Sequence, residues 1–208
     1  MKTIKGTIYF TEDVLGTANA DKEVHSEFIA SKAPDAPSRE EEIEALGVEE
    51  VERKEMTVFP RDDDGDPMFW DYQVKGFFKD ACGALRKVPK SACSKVKAYK
   101  KEIDGLIFIK PRKIKINLPD GGEIGNCQRP LRASTAQGER IALANSETVP
   151  AGSWCDVEIV TLKDDLEGMI TECLAYGSLK GMGQWRNSSK GRFLFKQDGS
   201  VEKKDLTL

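Results

Sequence analysis

Twice along this chain a helical stripe of apolar residues lies between two strands, and that arrangement narrows the possible folds more than anything else in the sequence. In Met68–Lys87 the stripe is Val74, Phe77, Phe78, Ala81 and Leu85, and the buried strand Gly105–Ile109 follows. In Leu166–Tyr176 the stripe is Leu166, Ile170 and Leu174, and the sequence then runs into Arg192-Phe193-Leu194-Phe195. Each helix also has a strand before it. Lys2–Phe10 places Ile4 and Ile8 among β-formers, and in Glu147–Leu162 the residues Trp154, Asp156 and Glu158 alternate with Val157 and Ile159. Helices with one apolar stripe and strands with one apolar face must bury those surfaces against each other. The order β-α-β…β-α-β predicts four antiparallel strands backed by two helices.

That order is the ferredoxin-like, or RNA-recognition-like, α+β plan, and residues 1–208 read as a single domain of this kind. Two additions stand out. The first is an acidic insertion over residues 32–66. It opens with Lys32–Ser38 and its two prolines, continues with a helix over Arg39–Leu46 capped by Ser38 with Glu41 three residues on, and ends at Gly47. A short helix, Asp21–Ser31, precedes it, and Glu55–Phe59 reads as a strand. The second addition is 120–146, polar and glycine-bearing, which predicts a long projecting hairpin. Ile114-Lys115-Ile116 alternates as a half-buried strand, and Val88–Lys101, with Pro89 and many lysines, reads as a mobile basic loop. Gly76, inside the first helix, implies close approach of another backbone.

The 208 residues are 39% hydrophobic and 32% charged, enough for a sizeable core under a highly charged surface. Nothing approaches the roughly 20 apolar residues of a membrane-spanning helix. The first ten residues carry no apolar signal segment, so no membrane is expected as a partner. Cys82, Cys93, Cys127, Cys155 and Cys173 form no C-x-x-C pair, and His25 is the one histidine. This excludes the usual zinc motifs and histidine-based nucleophilic catalysis, and it predicts reduced thiols in the cytoplasm. The net charge of −3 conceals segregation. Asp35–Asp66 holds 13 acids against 4 bases, whereas Lys75–Arg140 holds 16 bases against 6 acids. A basic middle suits a polyanion, and the opposed segments suit head-to-tail contact between copies of the chain.

Gly177–Phe195 concentrates the binding chemistry. Gly177, Gly181, Gly183 and Gly191 alternate with Lys180, Arg186, Lys190 and Arg192 around Trp185. Glycine allows close backbone approach, Lys and Arg suit phosphate, and the indole offers a face for a base. The alternative is a glycine-rich hairpin whose charges are merely solvated. Asp62, Asp63, Asp64 and Asp66 have the charge to hold a divalent cation but lack calcium-loop spacing, so Arg61–Pro67 reads as a solvated turn.

Four stretches in series resemble the RAMP superfamily, specifically the repeated backbone subunit of type III CRISPR effector complexes. Lys5–Gly16 resembles its opening strand and turn, with Val14-Leu15-Gly16 lacking the family's histidine. Asp66–Arg86 resembles its Ile-Pro-Gly-Ser-Ser-Leu-Lys-Gly-x-x-Arg element. Here Lys75 and Gly76 match, Lys79 takes the Arg place, and Asp71-Tyr72-Gln73 replaces Gly-Ser-Ser. Glu147–Val160 is similar to its Glu-x-Val-Pro-x-Gly-x-x-Phe strand, and Gly177–Phe195 to its C-terminal glycine-rich loop.

The resemblance implies an RNA-binding, self-assembling subunit in antiviral defence. Its partners would be single-stranded guide RNA, target RNA, further copies of itself and other effector subunits. It implies a β-hairpin thumb over Asn126–Asn145. The residues placed against RNA are Lys75, Gly76, Lys79, Arg86, Arg129, Arg132, Gly181, Gly183, Trp185, Arg186, Lys190 and Arg192. In catalytic members an Asp after the first strand supports metal-dependent RNA cleavage, and Asp35 is the nearest candidate for it here. Two readings stay open: a non-catalytic assembly subunit without a cofactor, and a metal-dependent endoribonuclease using Asp35 or Asp62–Asp66 with a divalent cation. A standalone relative, encoded by a mobile element and binding on its own account, is a further alternative.

Overall fold

The computed structural model describes residues 1–19, 56–135, 138–198 and 205–206. Asp35, the two helices expected over Asp21–Ser31 and Arg39–Leu46, and most of the acidic insertion lie outside the described residues. The described chain is mixed α+β and forms two compact units. One comprises Met1–Val14, Pro60–Ile124 and Val149–Leu208, and the other Leu15–Phe59 and Gly125–Thr148.

The first unit is built on a five-stranded sheet. Strand β1 (Lys2–Phe10) lies between β10 (Trp154–Thr161) and β11 (Phe193–Gln197), antiparallel to both. Strand β6 (Ile107–Lys110) pairs antiparallel with the far side of β10, and β12 (Asp205–Leu206) with the far side of β11. The resulting order is β12-β11-β1-β10-β6. Period-two alternation explains which face is covered. Ile4, Ile8 and Phe10 of β1, Cys155, Val157 and Ile159 of β10, Ile107 and Ile109 of β6, and Phe193 and Phe195 of β11 are all buried. Helices α1 (Asp71–Leu85) and α4 (Glu167–Tyr176) supply the opposing stripes, Val74, Phe77, Phe78, Ala81 and Leu85 from one and Met169, Ile170, Cys173 and Leu174 from the other. Phe77 meets Phe193 edge-on at 5.0 Å between centroids, and Phe10 lies 6.0 Å from Phe69. Burying side chains of this size is worth about 1.5–3 kcal/mol each.

Val88–Lys101 differs from the sequence expectation. It contains a short helix, α2 (Ala92–Lys95), and the start of α3 (Tyr99–Leu106). Both oxygens of Glu172, on α4, accept from the first amides of α2, Ala92 N at 2.6 Å and Cys93 N at 3.0 Å. Ser91 caps the same turn, its Oγ accepting from Ser94 N at 3.0 Å. A carboxylate from a distant helix satisfies the free amides of this turn, and no local periodicity announces that. Gly76 is a second correction: among the described residues, nothing lies within 4 Å of where its Cβ would stand, so no described backbone approaches it. Two short strands, β5 (Met68–Trp70) and β7 (Lys113–Lys115), pair antiparallel at the entry to α1. The Arg61–Pro67 turn forms as expected, with Asp62 Oδ1 accepting from Asp64 N and Asp66 N.

In the second unit, β8 (Gly125–Thr135) and β9 (Gly138–Val149) form a hairpin in register from Gly125–Thr148 to Thr135–Gly138. β9 also pairs with β2 (Val14–Leu15), and β4 (Thr57–Val58) joins β9 to β3 (Ala18–Asn19). The hairpin expected over 120–146 is therefore present as two long strands. Arg129 is buried in this unit, its Nη1 donating to Ser146 Oγ at 3.4 Å.

Candidate nucleic-acid interface

The glycine-rich stretch folds as a closed loop with a tight root. Gly191 has φ +71°, and a Cβ there would collide with the Met182 carbonyl. A Cβ at Gly181 would fall inside the Gly191 backbone, and one at Gly177 inside the Phe193 ring. Met182 N donates to Gly191 O at 3.0 Å, and Phe193 N to Gly177 O at 3.0 Å. These three glycines let backbone and ring cross within the protein, which is a packing role. Beyond the root the tip is open. Gly183, Gln184, Trp185, Arg186 and Asn187 line a surface recess of about 350 Å³. Trp185 adopts φ +55° and is 38% exposed. A bulky residue in the left-handed region is unusual, and here it presents an indole at the loop tip.

The cations singled out in the sequence fall into separate groups, and most of those described have an internal partner, while the buried Nε of Arg192 has none among the described residues. Arg186 Nη1 donates to Asp80 Oδ2 at 2.8 Å, and Lys180 Nζ lies 3.2 Å from the same oxygen. Asp80 thus ties the loop to α1. Lys190 donates to Asp13 Oδ2 at 2.8 Å, and this bond, with a further one from Ala151 N, holds the Asp13 carboxyl below its ordinary range. On α1, Lys75 donates to the Asp104 carbonyl at 3.2 Å and covers the Phe108 ring at 5.0 Å, while Lys79 pairs with the Asp104 carboxylate at 2.5 Å. Lys75 therefore turns toward the C-terminal end of α3. Arg86 stacks on Tyr99 at 5.1 Å. The Arg192 carbonyl accepts from Thr11 N at 2.9 Å. Arg132 lies on β8, and its side chain is outside the described atoms.

A groove of about 670 Å³ runs beside α1 and α3, lined by Gly76, Lys79, Asp80, Gly83, Lys87, Tyr99 and Lys100. The two glycines stand seven residues apart, two turns along one face, and leave that side of α1 low. Lys79 and Asp80 carry the groove toward the loop.

Asp62, Asp64 and Asp66 bring a carboxylate oxygen each within 4.8 Å of one another. The trio is internally used, because Asp62 accepts the turn's amides and Asp66 pairs with Lys115. Asp63 pairs with Lys113 at 2.5 Å. Cys155 and Cys173 are poor nucleophiles. Burial pushes Cys155 up, and hydrogen bonding to Cys82 and Cys93 does the same to Cys173. Among the described residues, no helix is long and apolar enough to cross a membrane.

The sequence reading missed the three acids, Asp13, Asp80 and Asp104, that hold the basic residues in place. Each is far in sequence from its lysine or arginine, so only the fold brings the pairs together.

An α+β sheet backed by helices, with a cationic glycine loop clasped to one of them, is the class of protein that these observations define. No protein-family model and no curated protein matches the sequence. Among solved structures, a chain of the Type III-B Cmr-beta bound to cognate target RNA, determined by cryo-EM, is similar at TM-score 0.52 and 8% identity. The alignment covers 99% of this chain and 60% of that one, so this chain spans about three fifths of its neighbour's length. At that identity the likeness is one of fold.

Proposed function

We propose that this chain is a non-catalytic, RNA-binding and self-assembling subunit of a CRISPR-type ribonucleoprotein. The observation that carries the reading is the fold likeness to a chain of an RNA-bound effector, extending over 99% of the residues. The strand order supports it. With β12 set aside, the order β11-β1-β10-β6 is consistent with the fourth, first, third and second strands that a ferredoxin-like core would have, α1 and α4 then serving as its two helices. The hairpin β8–β9 is the element proposed as a thumb. In this reading the Asp80 cluster and the groove beside α1 carry RNA through its phosphates, with little base preference, and the Trp185 indole offers its face to a base. The acidic insertion would meet the basic segment of the next copy.

The test is whether the purified protein carries RNA of defined length, and how its affinity for single-stranded RNA depends on salt. Log affinity is expected to fall against log salt with a slope of roughly −0.7 for each phosphate contacted. Absence of binding at low salt, alone or with partner subunits, would sink the proposal. The nuclease alternative, through Asp35 or Asp62–Asp66, predicts RNA cleavage abolished by a chelator and by one Asp→Ala change.

A further inference from the structure

One group of side chains contrasts with the paired cations. Trp70 ends β5 and Tyr72 lies in the first turn of α1. Their rings are nearly parallel, 11° apart in plane with centroids 6.3 Å apart. Arg112 places its guanidinium 5.9 Å from the Trp70 ring. Tyr72 is 63% exposed, a high value for an aromatic side chain already facing another. Among the described residues, Arg112 has no carboxylate partner.

The backbone fixes this arrangement from two sides. Trp70 pairs with Lys113 across β5 and β7, and Asp71 N donates to the Arg112 carbonyl at 3.0 Å. Gln73 Oε1 accepts from Trp70 N at 2.7 Å, which holds the first turn of α1 against the strand. The rings stand on paired strands and a helix start, so little ordering entropy remains for a ligand to supply. Lys110, which stands opposite Glu158 across β6 and β10, and Arg112 line a recess of about 670 Å³ together with Lys5, Asp156, Glu158 and Asp198. Flat aromatic faces with arginine beside them are the chemistry that stacks unpaired bases in single-stranded nucleic acid. An arginine that lacks an acid remains available to the phosphate next to that base.

We infer that Trp70, Tyr72 and Arg112 form a stacking site for one unpaired base of a bound single strand, with Arg112 and Lys110 on the adjoining backbone. This rests on the RNA-binding reading, but it assigns a base contact to residues that reading leaves unused. Every base has a π-face, so the site takes any of the four.

The test uses the full chain and two labelled ten-nucleotide RNAs, oligouridine and the same backbone with abasic positions, followed by fluorescence anisotropy. Tyr72→Ala is expected to weaken oligouridine binding by about 5- to 150-fold, the span measured for losing one stacked base. Tyr72→Phe should stay within about twofold, and Arg112→Ala should weaken both RNAs. The abasic strand should not distinguish wild type from Tyr72→Ala. In a chain carrying Trp154→Phe and Trp185→Phe, which leaves Trp70 as the fluorophore, oligouridine should quench emission and the abasic strand should not. If wild type and Tyr72→Ala bind oligouridine equally while both bind RNA, the stacking site is overturned and the RNA-binding reading stands. If wild type binds neither strand, both fall. Tyr72 is exposed, so unchanged circular dichroism is expected to separate these outcomes from misfolding.

Discussion

The middle and the start of α1 treat their charged neighbours differently. Toward the middle, Asp80 receives both Lys180 and Arg186 from the glycine loop, and Lys79 is held by Asp104. At the start, Trp70, Tyr72 and Arg112 form an aromatic and guanidinium group with no acid paired to the arginine among the described residues. The first arrangement is partly neutralised, with one carboxylate set against two cations at Asp80. A polyanion that binds there must displace a carboxylate, so net affinity is a difference between two pairings. The second is open, and any contact made there adds without an exchange. Positive charge in a sequence is therefore a poor measure of available positive charge.

The largest effect expected concerns the loop root. Gly191→Ala imposes φ +71° on a residue with a Cβ and drives that Cβ into the Met182 carbonyl. A loss of about 3 kcal/mol or more is expected in denaturant unfolding. An unchanged midpoint would mean the loop is not anchored there, and the Asp80 cluster would lose its rigid partner.

Next comes Asp80→Asn. With its charge removed, Lys180 and Arg186 are free to meet phosphate, and RNA affinity should rise by about 1 kcal/mol, roughly fivefold. Affinity unchanged at low salt would place this cluster away from the RNA and leave the aromatic end as the better candidate.

A smaller change, of opposite sign to the first, is expected at Gly76. It sits inside α1 with open space around its missing Cβ, so Gly76→Ala should stabilise the protein by about 0.5–1 kcal/mol. If RNA affinity falls while stability rises, the low side of the groove is in contact with the strand.

The smallest effect lies at Asp13, the loop's other acid anchor. Its folded carboxyl is shifted below the ordinary 3.8, chiefly by the hydrogen bond from Lys190. A depressed acid contributes stability above its unfolded value, and that contribution is lost as pH falls from about 3.8 through the lower folded value. The pair is partly exposed, so roughly 0.5 kcal/mol or less is at stake. Unfolding curves between neutral pH and pH 2 should converge for wild type and Asp13→Asn at the acid end.

Much of the first unit was legible because its signal is local. The stripes Val74, Phe77, Phe78, Ala81, Leu85 and Leu166, Ile170, Leu174 are buried as their spacing requires, and Trp154 to Ile159 alternates across β10. The segment after α1 was not legible, since the amides of α2 find their acceptor on Glu172, some eighty residues away. Gly76 misled because a glycine in a helix signals either close approach or mere tolerance, and sequence does not distinguish them. The binding residues divided the same way. Glycines and arginines announced the loop, while the acids that neutralise it depend on tertiary contact. The aromatic run Met68-Phe69-Trp70-Asp71-Tyr72 was visible, but period alone assigned it to the beginning of a helix.

The crossing of Gly181 and Gly191 also partitions what mutation can change. Chain leaving one glycine must return through the other, so the stem tolerates almost no variation, whereas the span from Gly183 to Ser189 hangs from a fixed base. Lengthening a closed loop costs little, about 0.6 kcal/mol per doubling. The tip is thus a place where selection, or an engineer, can exchange residues and insert new ones while the sheet beneath it keeps its register.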